Sequence, residues 1–198
     1  MVRTVGVLLL AYLIGSLDFA VIVARLRGED IYSMGSGNPG ASNALRSMGK
    51  PAGAMVLFGD LAKGVAAAAV GSALGGNETI AAAAGLAAVV GHCYPVFHRF
   101  RGGKGAATLA GMLLWVAPWA GLGMVLVFGG IVAVWRIASV GSIAGAALAV
   151  PLAAWLDGVR GRPLAWLSAA VALVMYRHRG NIVRLLRGAE RKVVGDEH

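Results

Sequence analysis

The chain has 198 residues, 58% of them hydrophobic and only 14% charged, with mean hydropathy +0.74 and 30 glycines, a profile that a water-soluble domain of this length does not carry. The net charge of +9 does not indicate a nucleic-acid binder. Lysine and arginine gather at the ends of apolar runs, as the preference for cytoplasmic positive charge requires, and no basic face with interleaved aromatics is present.

Val5 to Ala24 is an apolar run of about 20 residues, which fits a bilayer crossing better than the shorter core of a signal peptide. Its single acid, Asp18, stands near the end of the run, which predicts a structural or snorkelling role rather than a chemical one. Arg25 to Lys50 is the longest polar stretch, rich in Gly, Ser and Asn, and long ordered connections of this kind often bind something. Gly35, Gly37 and Gly40 spell the G-x-G-x-x-G of dinucleotide sites, with Asp60 about 20 residues on. That reading is rejected, because the motif needs a preceding strand and a βαβ unit, whereas here apolar spans flank it and Pro39 lies inside it. What survives is a set of groups suited to an oxyanion: backbone N–H freed at Gly37, side-chain donors at Ser36, Asn38, Ser42 and Asn43, and the cation Arg46.

Pro51 to Leu74 returns through the membrane and holds Asp60 and Lys63, an i,i+3 pair of opposite charge that predicts structural compensation. Gly75 to Glu78 is a turn without Lys or Arg, expected on the outer side. Thr79 to Phe97 crosses again, broken near its end by Pro95. It leads into Gly91 to Thr108, GHCYPVFHRFRGGKGAAT, in which Gly102, Gly103 and Gly105 surround Lys104 and an Ala-rich helix follows. Glycines expose backbone N–H groups, a helix N-terminus favours an anion, and Arg99 and Arg101 add charge, so the stretch reads as a phosphate seat. On these residues alone a basic cytoplasmic turn between two spans accounts for it equally well.

Gly105 to Ala117 and Trp119 to Trp135 read as two spans hinged at Pro118, the first short for a crossing. Ser139 to Leu156 and Leu164 to Tyr176 follow, separated by Asp157, Gly158, Arg160 and Arg162. The tail from Arg177 is basic and locally amphipathic, which suits either the membrane surface or a fold back onto the bundle. Glycine pairs four apart, such as Gly71 with Gly75 and Gly141 with Gly145, have the spacing of close helix packing but little specificity in so glycine-rich a chain.

The expected architecture is therefore all-α: one polytopic integral membrane bundle over residues 1–198 with seven transmembrane helices, the N-terminus outside and the C-terminus cytoplasmic; a six-span arrangement is the alternative if Gly105 to Ala117 does not cross. That orientation puts every Lys and Arg on the inner side except Arg3, Lys63, Arg160 and Arg162. The inner side then holds Ser36, Arg46, Lys104, His178, Arg179 and Asn181, enough for two phosphates, an apolar-tailed ligand from between the helices and a small polar one from the cytosol. Ser36 has no evident His and Asp partners, and Cys93 reads as an apolar packing residue. His92, Cys93 and His98 lack zinc-site spacing, so neither metal nor cofactor is expected. The H-x-x-x-x-D pattern of many glycerolipid acyltransferases is absent as well.

GSGNPGASNALR (Gly35 to Arg46), DLAKG (Asp60 to Gly64), GHCYPVF with RGGKGAAT, and RHRGNIVRLLRGAE (Arg177 to Glu190) together resemble, in order and over nearly the whole chain, the bacterial acyl-phosphate:glycerol-3-phosphate acyltransferases, the PlsY family. The resemblance implies a seven-span enzyme of the bacterial inner membrane with its active site facing the cytoplasm. It implies transfer of a fatty acyl group from acyl phosphate to the 1-hydroxyl of sn-glycerol 3-phosphate, giving lysophosphatidic acid and phosphate, with membrane lipid as the surroundings. By motif, Ser36 and Arg46 match the essential serine and arginine of the first loop, Gly102 to Gly105 the glycerol-phosphate-binding turn, and His178, Asn181 and Glu190 the third cytoplasmic motif. Ser142 matches a site-lining serine of a late span. Two departures stand out: Asp18 replaces a kink-forming proline, and Ser42 a threonine. Direct attack without an acyl-enzyme is the expected chemistry, with His178 or a substrate phosphate oxygen taking the proton. The competing reading is a transporter or binding protein for phosphorylated small molecules. It needs polar lining reachable from both faces, and this sequence concentrates its polar groups on one.

Overall fold

The computed structural model describes residues 2–193, and those residues are all helical or irregular, with no strand among them. The first apolar segment is not one continuous helix. α1 (Val2–Gly15) stops at a break over residues 16–18, and α2 (Phe19–Leu26) starts afresh. Asp18 makes the restart possible: its Oδ1 accepts the N–H groups of Ala20 at 3.1 Å and Val21 at 3.2 Å, donors that a helix start otherwise leaves open. Only 2% of Asp18 is exposed, so it is an N-cap inside the bundle and not a side chain snorkelling from a span end.

The long polar connection contains a helix of its own, α3 (Ala41–Met48), which the reading of that stretch as a loop missed. α4 (Lys50–Gly75) is the axle of the fold and packs against α1, α2, α3, α5 and α6. α5 (Glu78–Cys93) begins on Asn77, whose Oδ1 accepts the Ile80 N–H at 3.0 Å, and ends before a single 3-10 turn at Val96–His98.

α6 (Ala106–Val116) has 11 residues, about 16 Å of rise and roughly half of a bilayer's apolar thickness. It is buried along most of its length and lies very close to α4. Gly64 and Gly111 permit this approach: a Cβ on Gly64 would strike the Thr108 carbonyl, and one on Gly111 the Leu61 carbonyl. After Ala117 the chain turns at Pro118 into α7 (Pro118–Trp135), followed by α8 (Ala138–Trp155), α9 (Gly161–Arg177) and α10 (Arg179–Leu186). Asp157, beyond α8, caps α7 by accepting the Trp119 and Ala120 N–H groups at 3.0 Å each.

Among the described residues, five helical segments are long and apolar enough to cross a membrane: Val2–Leu26, Lys50–Gly75, Glu78–His98, Pro118–Trp135 and Ala138–Trp155. α6 and α9, both expected as spans, are shorter, with 11 and 17 residues. Large apolar side chains such as Leu9, Phe58, Trp119, Leu126 and Trp155 are exposed, as a lipid-facing surface requires. The tail folds back onto the bundle: the Val193 N–H donates to the carbonyl of Arg136, between α7 and α8, at 2.7 Å.

Candidate active site

The first loop is shaped around Asn43. This side chain, 2% exposed, accepts the Ser36 N–H on Oδ1 at 2.9 Å and donates from Nδ2 to the Met34 carbonyl at 3.0 Å. Gly35 passes so close that a Cβ there would collide with Asn43 Oδ1, and its positive φ of 56° suits glycine. Ser36 is thereby held in place by its backbone, and its Oγ accepts the Asn38 N–H at 3.4 Å. α3 has Gly40 as its N-cap and no capping side chain, so the first N–H groups, at Ala41 and Ser42, stay unclaimed, and both residues line a cavity.

The glycine-lysine turn divides its tasks. The Gly103 N–H donates to the His92 carbonyl at 3.1 Å, so it is not an open phosphate donor as expected. Arg177 fastens the same turn, donating to the Gly102 carbonyl at 2.8 Å and to the Gly103 carbonyl at 2.9 and 3.1 Å, with its guanidinium 5.0 Å from the centre of the Tyr94 ring. Gly105 takes a left-handed conformation (φ 86°) as the uncapped start of α6, which leaves the first N–H groups of that helix open beside Ala106 and Ala107. Lys104 projects between these features. Burial pushes its pKa down to about 8, Glu190 opposes the shift, and Arg184, Arg46 and Arg177 reinforce it.

The junction of α9 and α10 supplies the remaining wall. His178 Nδ1 lies 2.8 Å from the Val174 carbonyl and donates to it, which leaves Nε2 as an acceptor. Burial pushes the His178 pKa down to about 4 against the pull of that carbonyl, so the ring is neutral at physiological pH. Asn181, 4% exposed, donates to Glu190 Oε1 at 2.6 Å, and Arg184 donates to Oε2 at 2.8 Å. Arg46 is half-buried; burial first and Arg191 next lower its pKa, while Glu190 raises it.

These pieces enclose one cavity of about 420 Å³. Ser36, Asn38, Asn43 and Arg46 enter from the first loop and α3, Lys104 and Gly105 from the turn before α6, Ser142 from α8, and His178, Asn181 and Glu190 from the C-terminal segment. The uncapped starts of α3 and α6 both reach it, giving two anion-favouring poles beside three cations, Arg46, Lys104 and Arg191. Away from the polar end its walls are apolar, formed by Leu57, Phe58 and Leu61 of α4 and by Val125 and Phe128 of α7.

A family model described as glycerol-3-phosphate acyltransferase matches residues 5–188. The chain belongs to the glycerol-3-phosphate acyltransferase family. Curated relatives agree: glycerol-3-phosphate acyltransferase of Rubrobacter xylanophilus is 43% identical over 190 residues, covering 94% of each chain, and that of Myxococcus xanthus is 45% identical over 192, covering 96% and 99%. Two crystal structures of PlsY, an integral membrane glycerol 3-phosphate acyltransferase, share the fold at 38% identity. The glycerol 3-phosphate form gives a TM-score of 0.90 over 97% of this chain and 96% of that one, and the lysophosphatidic acid form gives 0.87 over 96% and 94%.

Within this member of the acyltransferase family, not every expected residue reaches the cavity. Gly37 and Gly102 line a neighbouring cleft with Tyr32, Arg101 and Arg177, while Gly103 and Lys63 form part of neither wall. Asp60, expected only to offset Lys63, does line the cavity. Sequence reasoning missed His92, Ser139 and Arg191 in the lining and Arg177 as the fastener of the turn. His92 and Arg177 lay inside the quoted motifs, so their position was a signal, but the turn they hold was not readable from either.

Proposed function

We propose that this protein is a membrane glycerol-3-phosphate acyltransferase that uses acyl phosphate as donor, with the five long apolar segments and the shorter α6 and α9 all crossing the bacterial inner membrane and the cavity opening to the cytoplasm. The observation that carries the reading is the convergence of Ser36, Arg46, Lys104, His178 and Asn181, from three remote chain segments, on one cavity with an apolar arm. Two phosphates and an acyl chain need that combination: cations and helix starts at one end, and Leu57, Phe58, Val125 and Phe128 along the other.

An acyl phosphate is already activated, because phosphate leaves readily, so the protein has to align the reactants and stabilise developing charge. The 1-hydroxyl oxygen of glycerol 3-phosphate attacks the acyl carbonyl carbon, and the carbonyl electrons move onto oxygen. Collapse of that tetrahedral oxyanion breaks the C–O bond to phosphate, and the hydroxyl proton passes to a phosphate oxygen. Lys104, Arg46 and the starts of α3 and α6 hold the phosphates, and Ser36 donates to phosphate or to the oxyanion. Asn181 and Ser142 orient the acceptor, and Glu190 fixes Asn181. A histidine whose pKa lies near 4 is a weak proton acceptor, which favours the phosphate oxygen over His178 as the base. His178 Nε2 serves as a hydrogen-bond acceptor for the attacking hydroxyl.

Purified protein in lipid vesicles, mixed with palmitoyl phosphate and labelled glycerol 3-phosphate, is expected to yield lysophosphatidic acid and inorganic phosphate in equal amounts. Uptake of label without product would instead mark a carrier. Rapid quench with mass spectrometry is expected to find Ser36 unmodified during turnover; an acylated Ser36 overturns direct attack.

A further inference from the structure

Beside the cavity, between α4 and α5, lie three ionisable side chains without a role in the chemistry above: Asp60, Lys63 and His92, each at most 5% exposed. Lys63 Nζ stands 2.6 Å from Asp60 Oδ1 and donates to the Leu17 carbonyl, at the break between α1 and α2, at 2.7 Å. It neutralises the carboxylate and fixes where it points. The same Oδ1 lies 3.4 Å from His92 Nδ1. Charge compensation alone needs only the Asp60–Lys63 pair, yet Asp60 and His92 both form part of the substrate cavity's wall.

His92 reaches the phosphate-binding turn twice. Its carbonyl accepts the Gly103 N–H at 3.1 Å, and its ring lies directly against Gly103, where a Cβ would collide with Nε2. The Pro39 carbonyl of the first loop closes on the same atom position at 2.6 Å. The imidazole is thus a spacer that sets the height of Gly103, and with it of Lys104, relative to the first loop. Asp60 Oδ1 faces the ring's other nitrogen across 3.4 Å, an electrostatic contact and not an aligned hydrogen bond.

We propose that Asp60 and His92 are positioning residues for the glycerol 3-phosphate site: Asp60, held by Lys63, orients the His92 ring, and the ring holds the Gly102–Lys104 turn at the height that acceptor phosphate binding requires. This rests on the reading that Lys104 holds the acceptor. His92→Asn keeps an N–H towards Asp60 and removes the ring from Gly103. The paired change Asp60→Asn with Lys63→Met removes the orienting carboxylate and keeps the cluster neutral, so that one of the two routes survives if the other does not assemble.

In either protein the KM for glycerol 3-phosphate is expected to rise about tenfold, with kcat within about twofold and the KM for palmitoyl phosphate unchanged. Combining the changes should raise the acceptor KM no further than the larger single effect, because both act through one turn. An unchanged acceptor KM, a loss confined to kcat, or additive effects overturn the proposal. Lys104→Ala, measured in parallel, separates the two readings. A normal acceptor KM there removes the phosphate seat itself, whereas a raised one there with normal values for His92→Asn removes only the positioning role.

Discussion

At the scale of single residues, the proposed phosphate seat rests on a charged Lys104 in a place that disfavours charge. Its pKa of about 8 lies well below that of a free lysine, so the ammonium form prevails at neutral pH and is lost as pH rises through that value. The kcat/KM for glycerol 3-phosphate should therefore be level near pH 7 and fall about tenfold per unit above about pH 8.5. In Lys104→Arg that alkaline limb should vanish, because a guanidinium does not titrate there. Lys104→Ala should lower kcat/KM by about 10²-fold or more while the purified protein keeps its normal elution profile. Lys104 was legible in the sequence because its surrounding glycines are a motif. Asn43 was legible only as a donor. Both ends of its amide are spent on Ser36 and Met34, a brace that depends on how the loop closes and not on any local pattern.

At the scale of elements, the break in the first apolar segment shows how an acid among apolar residues was misjudged. The Asp18 carboxylate satisfies two N–H groups that the start of α2 otherwise leaves open, a task that apolar length and position along the run do not reveal. Asp18→Ala should lose about 1 kcal/mol of stability, seen as a Tm lower by about 2–4 °C in detergent, with both KM values unchanged. Asp18→Asn, which caps equally well, should restore most of it. Five of the seven expected spans were legible from apolar length, and α3 was not, since eight residues in a Gly- and Ser-rich stretch offer no sustained period. Nor did length reveal how deeply α6 is buried. Its place against α4 depends on Gly64 facing Thr108 and Gly111 facing Leu61, pairings between remote positions.

At the scale of the whole molecule, the convergence of three segments required the family resemblance, because hydropathy and spacing report which residues lie on one side of a membrane but not which of them meet. Two measurements test the assembled picture. In a Cys93→Ser background, cysteines placed at Phe100 and at Gly188 should react with an impermeant reagent from one side of sealed vesicles. Cysteines at Asn77 and Gly158 should react only from the other, as seven crossings demand. Val125→Trp, which narrows the apolar arm, should raise the KM for palmitoyl phosphate about fivefold or more, affect an eight-carbon donor less, and leave the KM for glycerol 3-phosphate unchanged.

The clasp between Val193 and Arg136 has a practical side. Together with the bonds from Asn181 and Arg184 to Glu190, it holds the stretch carrying Glu190 and Arg191 against the pocket, so a protease nick or a spliced handle between Leu186 and Val193 would loosen that wall and leave the helices in lipid untouched. Preparations clipped there would look intact by size and heat resistance, yet bind their small water-soluble partner poorly, and a bench worker would mistake them for inactive enzyme.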